Sequence, residues 1–244
     1  MERHLPKAIL FDLDDTILAW SDTVELAWEE LCDRFAARLP NITGERLLRA
    51  VAQWRGWFRG DPDCFPEGSD VNREIAARAF ESLGIDAPEL RQEMADAYGE
   101  ARLETMRPFP GAMETLVHLR DKGVRLALLT SGDGVLQRRK LEMHGLDILF
   151  EAVLISGELG YGKPEERIFL EALELLEVKP CEAWMVGDSL EWDIETAQRL
   201  GMVGVWVVFP ASKYRTMDLL PSEWPENSTV RPDWIIRRIA EIVE

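Results

Sequence analysis

The stretch AILFDLDDT, residues 8–16, places a short apolar run directly before a cluster of acidic residues. An apolar run of this length is typical of a strand that is buried on both faces of a sheet. Comparable runs follow along the chain at 124–129, 152–155, 183–186 and 203–208. The chain is therefore expected to build a sheet of short, fully buried strands.

Amphipathic helical patterns separate these strands, at 111–122, 135–144, 165–176 and 191–200. Three of these helical patterns are followed directly by a glycine, namely Gly123, Gly145 and Gly201, and glycine is a common residue at a helix end. Strands that alternate with helices predict an α/β fold with a doubly wound, Rossmann-like parallel sheet. In such a sheet, ligands bind beyond the carboxyl ends of the strands.

The stretch between the first two strands has no strand-like run and is expected to be entirely helical. A first helix is predicted after Asp22, which could cap it together with Glu25, and further helical patterns cover 47–58, 71–83 and 88–105. The predicted organisation is a catalytic core domain formed by 1–20 and 107–244, with a smaller helical cap domain at 21–106. Within the core, 209–232 is expected to be irregular, followed by a short strand and a helix from Asp233.

Composition limits the classes of function. A net charge of −17 argues against nucleic acid and anionic membranes as partners. The three cysteines are far apart and form no C-x-x-C pair, which favours a reducing, cytoplasmic location. The amino-terminal stretch resembles neither a signal peptide nor a membrane span. The oligomeric state, monomer or homodimer, stays open.

Asp12 and Asp14 are two residues apart on an extended chain, so their side chains are expected on the same side. Two carboxylates in one site repel each other and require a cation, for which Mg²⁺ is well suited. Aspartates that merely cap the following turn are the alternative.

Three further blocks of polar residues follow later strands, and each has an ordinary structural alternative. Thr130-Ser131-Gly132 could bind a phosphate oxygen or form a simple turn, and Lys163, before Pro164, could balance a phosphate or be a solvated loop lysine. Asp188 ends a strand, whereas Asp193 could interact with the start of the next helix.

Taken together, these four blocks closely resemble the haloacid dehalogenase superfamily, in which D-x-D-x-T, Ser/Thr, Lys and G-D-x-x-x-x-D follow in this order. The resemblance implies that Asp12 is a nucleophile and that Asp14 is the general acid and base. It implies that Asp12, Asp188 and the carbonyl of Asp14 hold Mg²⁺, with Asp193 in support. Phosphate-binding roles fall to Thr130, Ser131 and Lys163, and Thr16 would shape the turn. Relatives often carry Asn where this chain has Ser131, which puts that substrate contact in question.

Members of this superfamily catalyse several different reactions, and residues of this chain help to distinguish among them. Dehalogenase members lack the second acid that Asp14 supplies, and phosphonatase members need a cap lysine, whereas no lysine occurs between Ala19 and Arg107. We therefore expect a phosphatase of a small phosphorylated metabolite, similar to phosphoglycolate or N-acylneuraminate-9-phosphate phosphatases. A β-phosphoglucomutase-like transfer, a 2-haloacid dehalogenase and a non-catalytic binding protein stay as alternatives.

Two residues outside these blocks are further candidates. Arg55 lies near the edge of the buried stripe of its predicted helix and could steer an anionic substrate. Trp20 could line the pocket or pack at the hinge.

Overall fold

The computed structural model describes residues 4–60, 71–208 and 229–243, without the side chains of 57–60. The contacts divide the chain into two compact units, Met1–Ser21 with Arg107–Glu244, and Asp22–Met106. That the second unit acts as a cap stays a prediction. Within the described ranges, no helix combines the length and the apolar character needed to cross a membrane.

The first unit contains a six-stranded, fully parallel sheet in the order β3-β2-β1-β4-β5-β6. Its strands are β1 (Ala8–Phe11), β2 (Arg125–Thr130), β3 (Ala152–Ile155), β4 (Ala183–Gly187), β5 (Val203–Val207) and β6 (Trp234–Ile236). The predicted parallel α/β fold is confirmed. The order reverses at β1, where β2 and β4 lie on opposite sides, and such a reversal opens a crevice at the carboxyl ends of the strands.

Every residue of β1 is buried, as its apolar run predicted. One layer of the core packs Leu10, Leu129 and Met185 from three strands against Phe169 of a helix. This packing holds the ends of β1, β2 and β4 side by side, because parallel strands with both faces covered are fixed by the apolar layers around them.

Within 22–60 and 71–106, the second unit contains five helices: α1 (Thr23–Ala36), α2 (Gly44–Gly60), α3 (Val71–Ser82), α4 (Pro88–Asp96) and α5 (Tyr98–Thr105). Their inner faces share a separate apolar core that includes Trp28, Phe35 and Phe80. Among the residues with assigned structure in this unit, all regular elements are helices, as the sequence predicted.

Two details of the helical unit differ from the sequence prediction. The single helix expected at 88–105 is divided at Ala97 into α4 and α5. Gly99 weakens helical propensity at this point, and the buried ring of Tyr98 packs 4.7 Å from that of Trp28. Asp22 occupies the cap position of α1, but its side chain makes no capping hydrogen bond.

The helices of the first unit are α6 (Ala112–Asp121), α7 (Gly134–His144), α8 (Ser156–Leu159), α9 (Glu166–Leu175) and α10 (Glu195–Arg199). Sequence analysis missed the single turn of α8. The helix predicted at 191–200 begins instead as a wide π-helical turn at Leu190–Ile194. The irregular segment predicted at 209–232 lies mostly outside the described residues, and the helix expected after the last strand is a 3-10 turn at Ile239–Ile242.

Candidate active site

Three buried or partly buried carboxylates converge at the carboxyl edge of the sheet. Asp12 directly follows β1 and Asp188 follows β4, while Asp193 belongs to the π-helical turn. One oxygen from each of the three carboxylates lies within 4.8 Å of the other two. The backbone fixes this meeting point, because the Asp12 N–H continues the ladder with the carbonyl of Val186 at 2.9 Å.

Gly187 allows Asp193 to enter this cluster. A Cβ atom at position 187 would collide with the Asp193 carboxylate, so only glycine leaves room for it. The wide turn brings the Asp193 side chain back toward the strand end, where its Oδ2 accepts a hydrogen bond from the Ser189 N–H at 3.1 Å. Asp193 is therefore completely buried although it is charged.

Lys163 supplies the positive charge of the cluster. Its Nζ lies 2.5 Å from Asp12 Oδ1 and 2.7 Å from Asp193 Oδ1, and the residue is only 8% exposed. The loop after α8 thus places a buried ammonium group between Asp12 and Asp193. The alternative of a solvated loop lysine at this position is wrong.

One ammonium group does not balance three carboxylates. Burial raises the pKa of Asp12 to about 7, in spite of the opposing effect of Lys163. Burial and the nearby charges of Asp12 and Asp193 raise the pKa of Asp188 to about 8. For Lys163, burial lowers the pKa, but Asp12 and Asp193 outweigh it and leave the pKa raised. The protein alone therefore lacks the positive charge needed to keep all three carboxylates ionised.

The residues at this site fit a divalent cation. Oδ2 of Asp12 is buried and has no hydrogen-bond partner, although its sister oxygen binds Lys163. Such an orphaned carboxylate oxygen costs free energy unless a ligand contacts it. Carboxylate oxygens are the ligands that Mg²⁺ prefers in proteins, and a divalent cation would supply the positive charge that these carboxylates lack.

Asp14 lies in a different environment from Asp12. Its carboxylate oxygens are 2.8 and 2.7 Å from Nζ of Lys140, and Oδ2 also accepts a hydrogen bond from Gln137 at 3.1 Å. The expectation that the Asp12 and Asp14 carboxylates share one cation is therefore corrected, because the cation beside Asp14 is a lysine. A compact turn follows Asp14, and in it Asp15 has a φ of 64°.

The hydroxyl of Thr130 lies at the end of β2 and contacts the same glutamine. Gln137 Nε2 lies 2.6 Å from Thr130 Oγ1 and 3.0 Å from the carbonyl oxygen of Ser131. The backbone N–H of Gly132 donates to Ser156 Oγ at 3.0 Å. Thr16, predicted to shape the turn, is buried, and its hydroxyl has no partner.

Gln137 and Lys140 are the site residues that sequence analysis missed. Both lie on α7, and they are almost completely buried together with Leu141. Positions i, i+3 and i+4 form one face of a helix, and that face should be apolar where a helix covers a core. Two polar residues at these positions were the signal that could have identified them.

Arg55 and Trp20, the two candidates outside the four sequence blocks, each have a partner within their own unit. Arg55 is 6% exposed and forms a bidentate ion pair with Glu25 of α1, at 2.5 and 2.7 Å. Both carboxylate oxygens of Glu25 are thus engaged with Arg55. The ring of Trp20 lies 3.6 Å from Nζ of Lys140, which places Trp20 beside the Asp14 contacts.

Comparison with known proteins identifies the family of this chain. The haloacid dehalogenase-like hydrolase family matches residues 6–201. Glyceraldehyde 3-phosphate phosphatase of Methanopyrus kandleri is 33% identical over 98% of this chain and 96% of its own length. Phosphoserine phosphatase of Thermus thermophilus is 40% identical over 66% of this chain and 58% of its own length. A solved HAD phosphatase from Thermococcus onnurineus is 29% identical, with a TM-score of 0.55 over 97% of this chain and 95% of its own.

Proposed function

The chain belongs to the haloacid dehalogenase-like hydrolases and is one of the phosphatases among them, and from this premise we propose that it hydrolyses a small phosphomonoester through an aspartyl-phosphate on Asp12. The observation that carries the proposal is the buried Asp12 carboxylate, with Lys163 on one oxygen and no partner on the other. The positive charge nearby would attract a phosphate group, which the net charge of −17 would otherwise repel.

The proposed reaction has two steps. A carboxylate oxygen of Asp12 attacks phosphorus, and the bond from phosphorus to the substrate oxygen breaks while Asp14 gives its proton to the departing alcohol. Water then attacks the phosphorus of the aspartyl-phosphate, Asp14 takes up the proton of that water, and Asp12 is released together with phosphate.

The other residues would bind and orient the phosphoryl group. Lys163 and the Thr130 hydroxyl would contact its oxygens, with Ser131 as a further contact. Asp12, Asp188 and the backbone carbonyl of Asp14 would hold Mg²⁺, supported by Asp193. When bound, Mg²⁺ supplies positive charge that offsets the charge of the phosphoryl oxygens.

The substrate is proposed to be a small phosphorylated metabolite. The names of the relatives support this class, since glyceraldehyde 3-phosphate and phosphoserine are both small phosphomonoesters. A reducing cytoplasmic location is proposed as well, supported by the free thiols of Cys32 and Cys181. A screen with these two compounds and phosphoglycolate tests the substrate class.

Release of phosphate from p-nitrophenyl phosphate in the presence of Mg²⁺ tests the activity itself. We expect Asp12→Asn to abolish turnover, because an amide is a poor nucleophile. Asp15→Asn is the matched control, since it removes a charge from the same loop at a positive φ that asparagine tolerates. Turnover that survives in Asp12→Asn would refute the proposed nucleophile.

Calorimetric titration with Mg²⁺ tests the metal site without reference to activity. Asp188→Asn should weaken Mg²⁺ binding strongly, because it removes one of the converging carboxylates. Asp147→Asn, which removes an exposed carboxylate outside this cluster, should bind Mg²⁺ much as the wild type does. Equal Mg²⁺ affinity in Asp188→Asn and the wild type would exclude this residue as a ligand.

A further inference from the structure

We propose that Lys140 and Gln137 are positioning residues, which hold the Asp14 carboxylate and the Thr130 hydroxyl in the orientations needed for protonation of the leaving group. This inference rests on the proposed function and deepens it, because it assigns roles to two residues of α7 outside the four sequence blocks. Lys140 is 1% exposed, and its ammonium group contacts both oxygens of Asp14.

A buried ammonium group requires compensation, since removing a charge from water is costly unless it is paired. Asp14 provides the pairing, and the face of Trp20 covers the ammonium group at 3.6 Å. Contact to both carboxylate oxygens restricts rotation of the Asp14 side chain more than a single hydrogen bond would. Lys140 thereby fixes the direction of the carboxylate.

Gln137 connects the acid to the phosphate-binding hydroxyl. The Ser131 carbonyl and the Asp14 carboxylate are acceptors, so the amide nitrogen of Gln137 must face them. The same nitrogen lies 2.6 Å from Thr130 Oγ1, and because an amide nitrogen carries two hydrogens, one of them is shared between two of these three acceptors. The Thr130 hydrogen then points elsewhere, and it is available to donate to a phosphoryl oxygen.

A merely structural role for Lys140 predicts a different outcome from a positioning role. Loss of packing would lower the activity on all substrates by the same factor. Loss of a correctly held acid would harm substrates whose leaving group needs protonation, and would spare those whose leaving group departs as a stable anion. Phenyl phosphate and p-nitrophenyl phosphate differ in this way while sharing one ring.

The test measures kcat/KM for both substrates in Lys140→Met, because this constant reports phosphoryl transfer to the enzyme. We expect the loss for phenyl phosphate to exceed that for p-nitrophenyl phosphate by about tenfold or more, since a general acid typically contributes ~100-fold or more. Lys140→Arg, which keeps the cation, should restore the wild-type ratio of the two constants. Arg139→Met removes a cation from the exposed side of the same helix and should leave both constants unchanged.

A double-mutant cycle with Asp14→Asn shows whether Lys140 acts through Asp14. In the Asp14→Asn background, Lys140→Met should cost less than about twofold further, because coupled residues are not additive. The double variant buries no unpaired charge, so it tests the inference even where Lys140→Met alone does not fold. Gln137→Leu, which removes no charge, should also shift the substrate ratio in the same direction.

Equal losses on both substrates, or a full additional loss in the Asp14→Asn background, would overturn the positioning role. The failure of the proposed function looks different. It would appear as a wild type without Mg²⁺-dependent turnover of p-nitrophenyl phosphate, or as an active Asp12→Asn variant.

Discussion

Gly187 shows how a residue without a side chain can determine an active site. It ends β4, and the Asp193 carboxylate occupies the space that a Cβ atom would need. That carboxylate in turn holds Lys163, which contacts Asp12. The absence of a side chain at position 187 thus leaves room for the carboxylate that holds Lys163 beside the proposed nucleophile.

We expect Gly187→Ala to destabilise the fold by about 1–3 kcal/mol, as overpacking of a rigid interior does, and to reduce phosphatase activity strongly. Gly56→Ala is the matched control, because a Cβ at this helical position would meet nothing within 4 Å. It should be neutral or stabilising by up to about 1 kcal/mol, since alanine favours helix more than glycine. Denaturant unfolding and p-nitrophenyl phosphate turnover measure both effects. Wild-type stability and activity in Gly187→Ala would show that the site tolerates the extra atom.

At the scale of single residues, the sequence identified the strand-end acids but not their partners. Asp12 and Asp188 could be predicted because charged residues after buried strands are unusual and mark the ligand-binding edge of a sheet. The carboxylate of Asp14 was expected beside that of Asp12, but it turns toward Lys140. Contact between a loop and a distant helix depends on tertiary packing, which residue spacing does not encode.

Buried ion pairing shapes the helices as well as the site. Arg55 of α2 and Glu25 of α1 form a bidentate pair, with 7% and 23% of the respective side chains exposed. On the same helix α2, Arg49 forms an exposed pair with Glu45 at 3.6 Å. One element therefore contains a buried and an exposed arginine pair for direct comparison.

Arg55→Ala should lower the free energy of unfolding by about 3 kcal/mol, because it removes one side of a largely buried ion pair. Arg49→Ala should cost less than about 1 kcal/mol, as is usual for exposed pairs. Urea unfolding followed by circular dichroism measures both values. Similar costs for the two variants would contradict the difference in burial.

Element boundaries were predictable where apolar periodicity is strong, as in β1 and α3. The division between α4 and α5 was not, because periodicity continues across Ala97 while Tyr98 is fixed by its contact with Trp28. For α7, the apolar pattern is weak because the inner face of the helix is partly polar. Its inner face carries Gln137 and Lys140, where tertiary contacts to Asp14 replace apolar packing.

At the scale of the whole molecule, each of the two units has its own apolar core and its own cysteine among the described residues. Cys32 is completely buried in the core of the helical unit, whereas Cys181 is exposed in the α/β unit. Burial raises the pKa of the Cys32 thiol to about 12, and the nearby Asp33 acts in the same direction. Since the thiolate is the reactive form, Cys32 should be inert in the folded protein.

Thiol titration with Ellman's reagent can therefore follow the two units separately in a Cys64→Ser background, which removes the third thiol. We expect one fast reaction from Cys181 and one slow reaction from Cys32, whose rate rises with denaturant as the helical unit opens. In Cys181→Ser, made in the same background, only the slow reaction should remain. Fast reaction of both thiols without denaturant would show that the core around Cys32 is not closed, and that the helical unit opens far more readily than its packing implies.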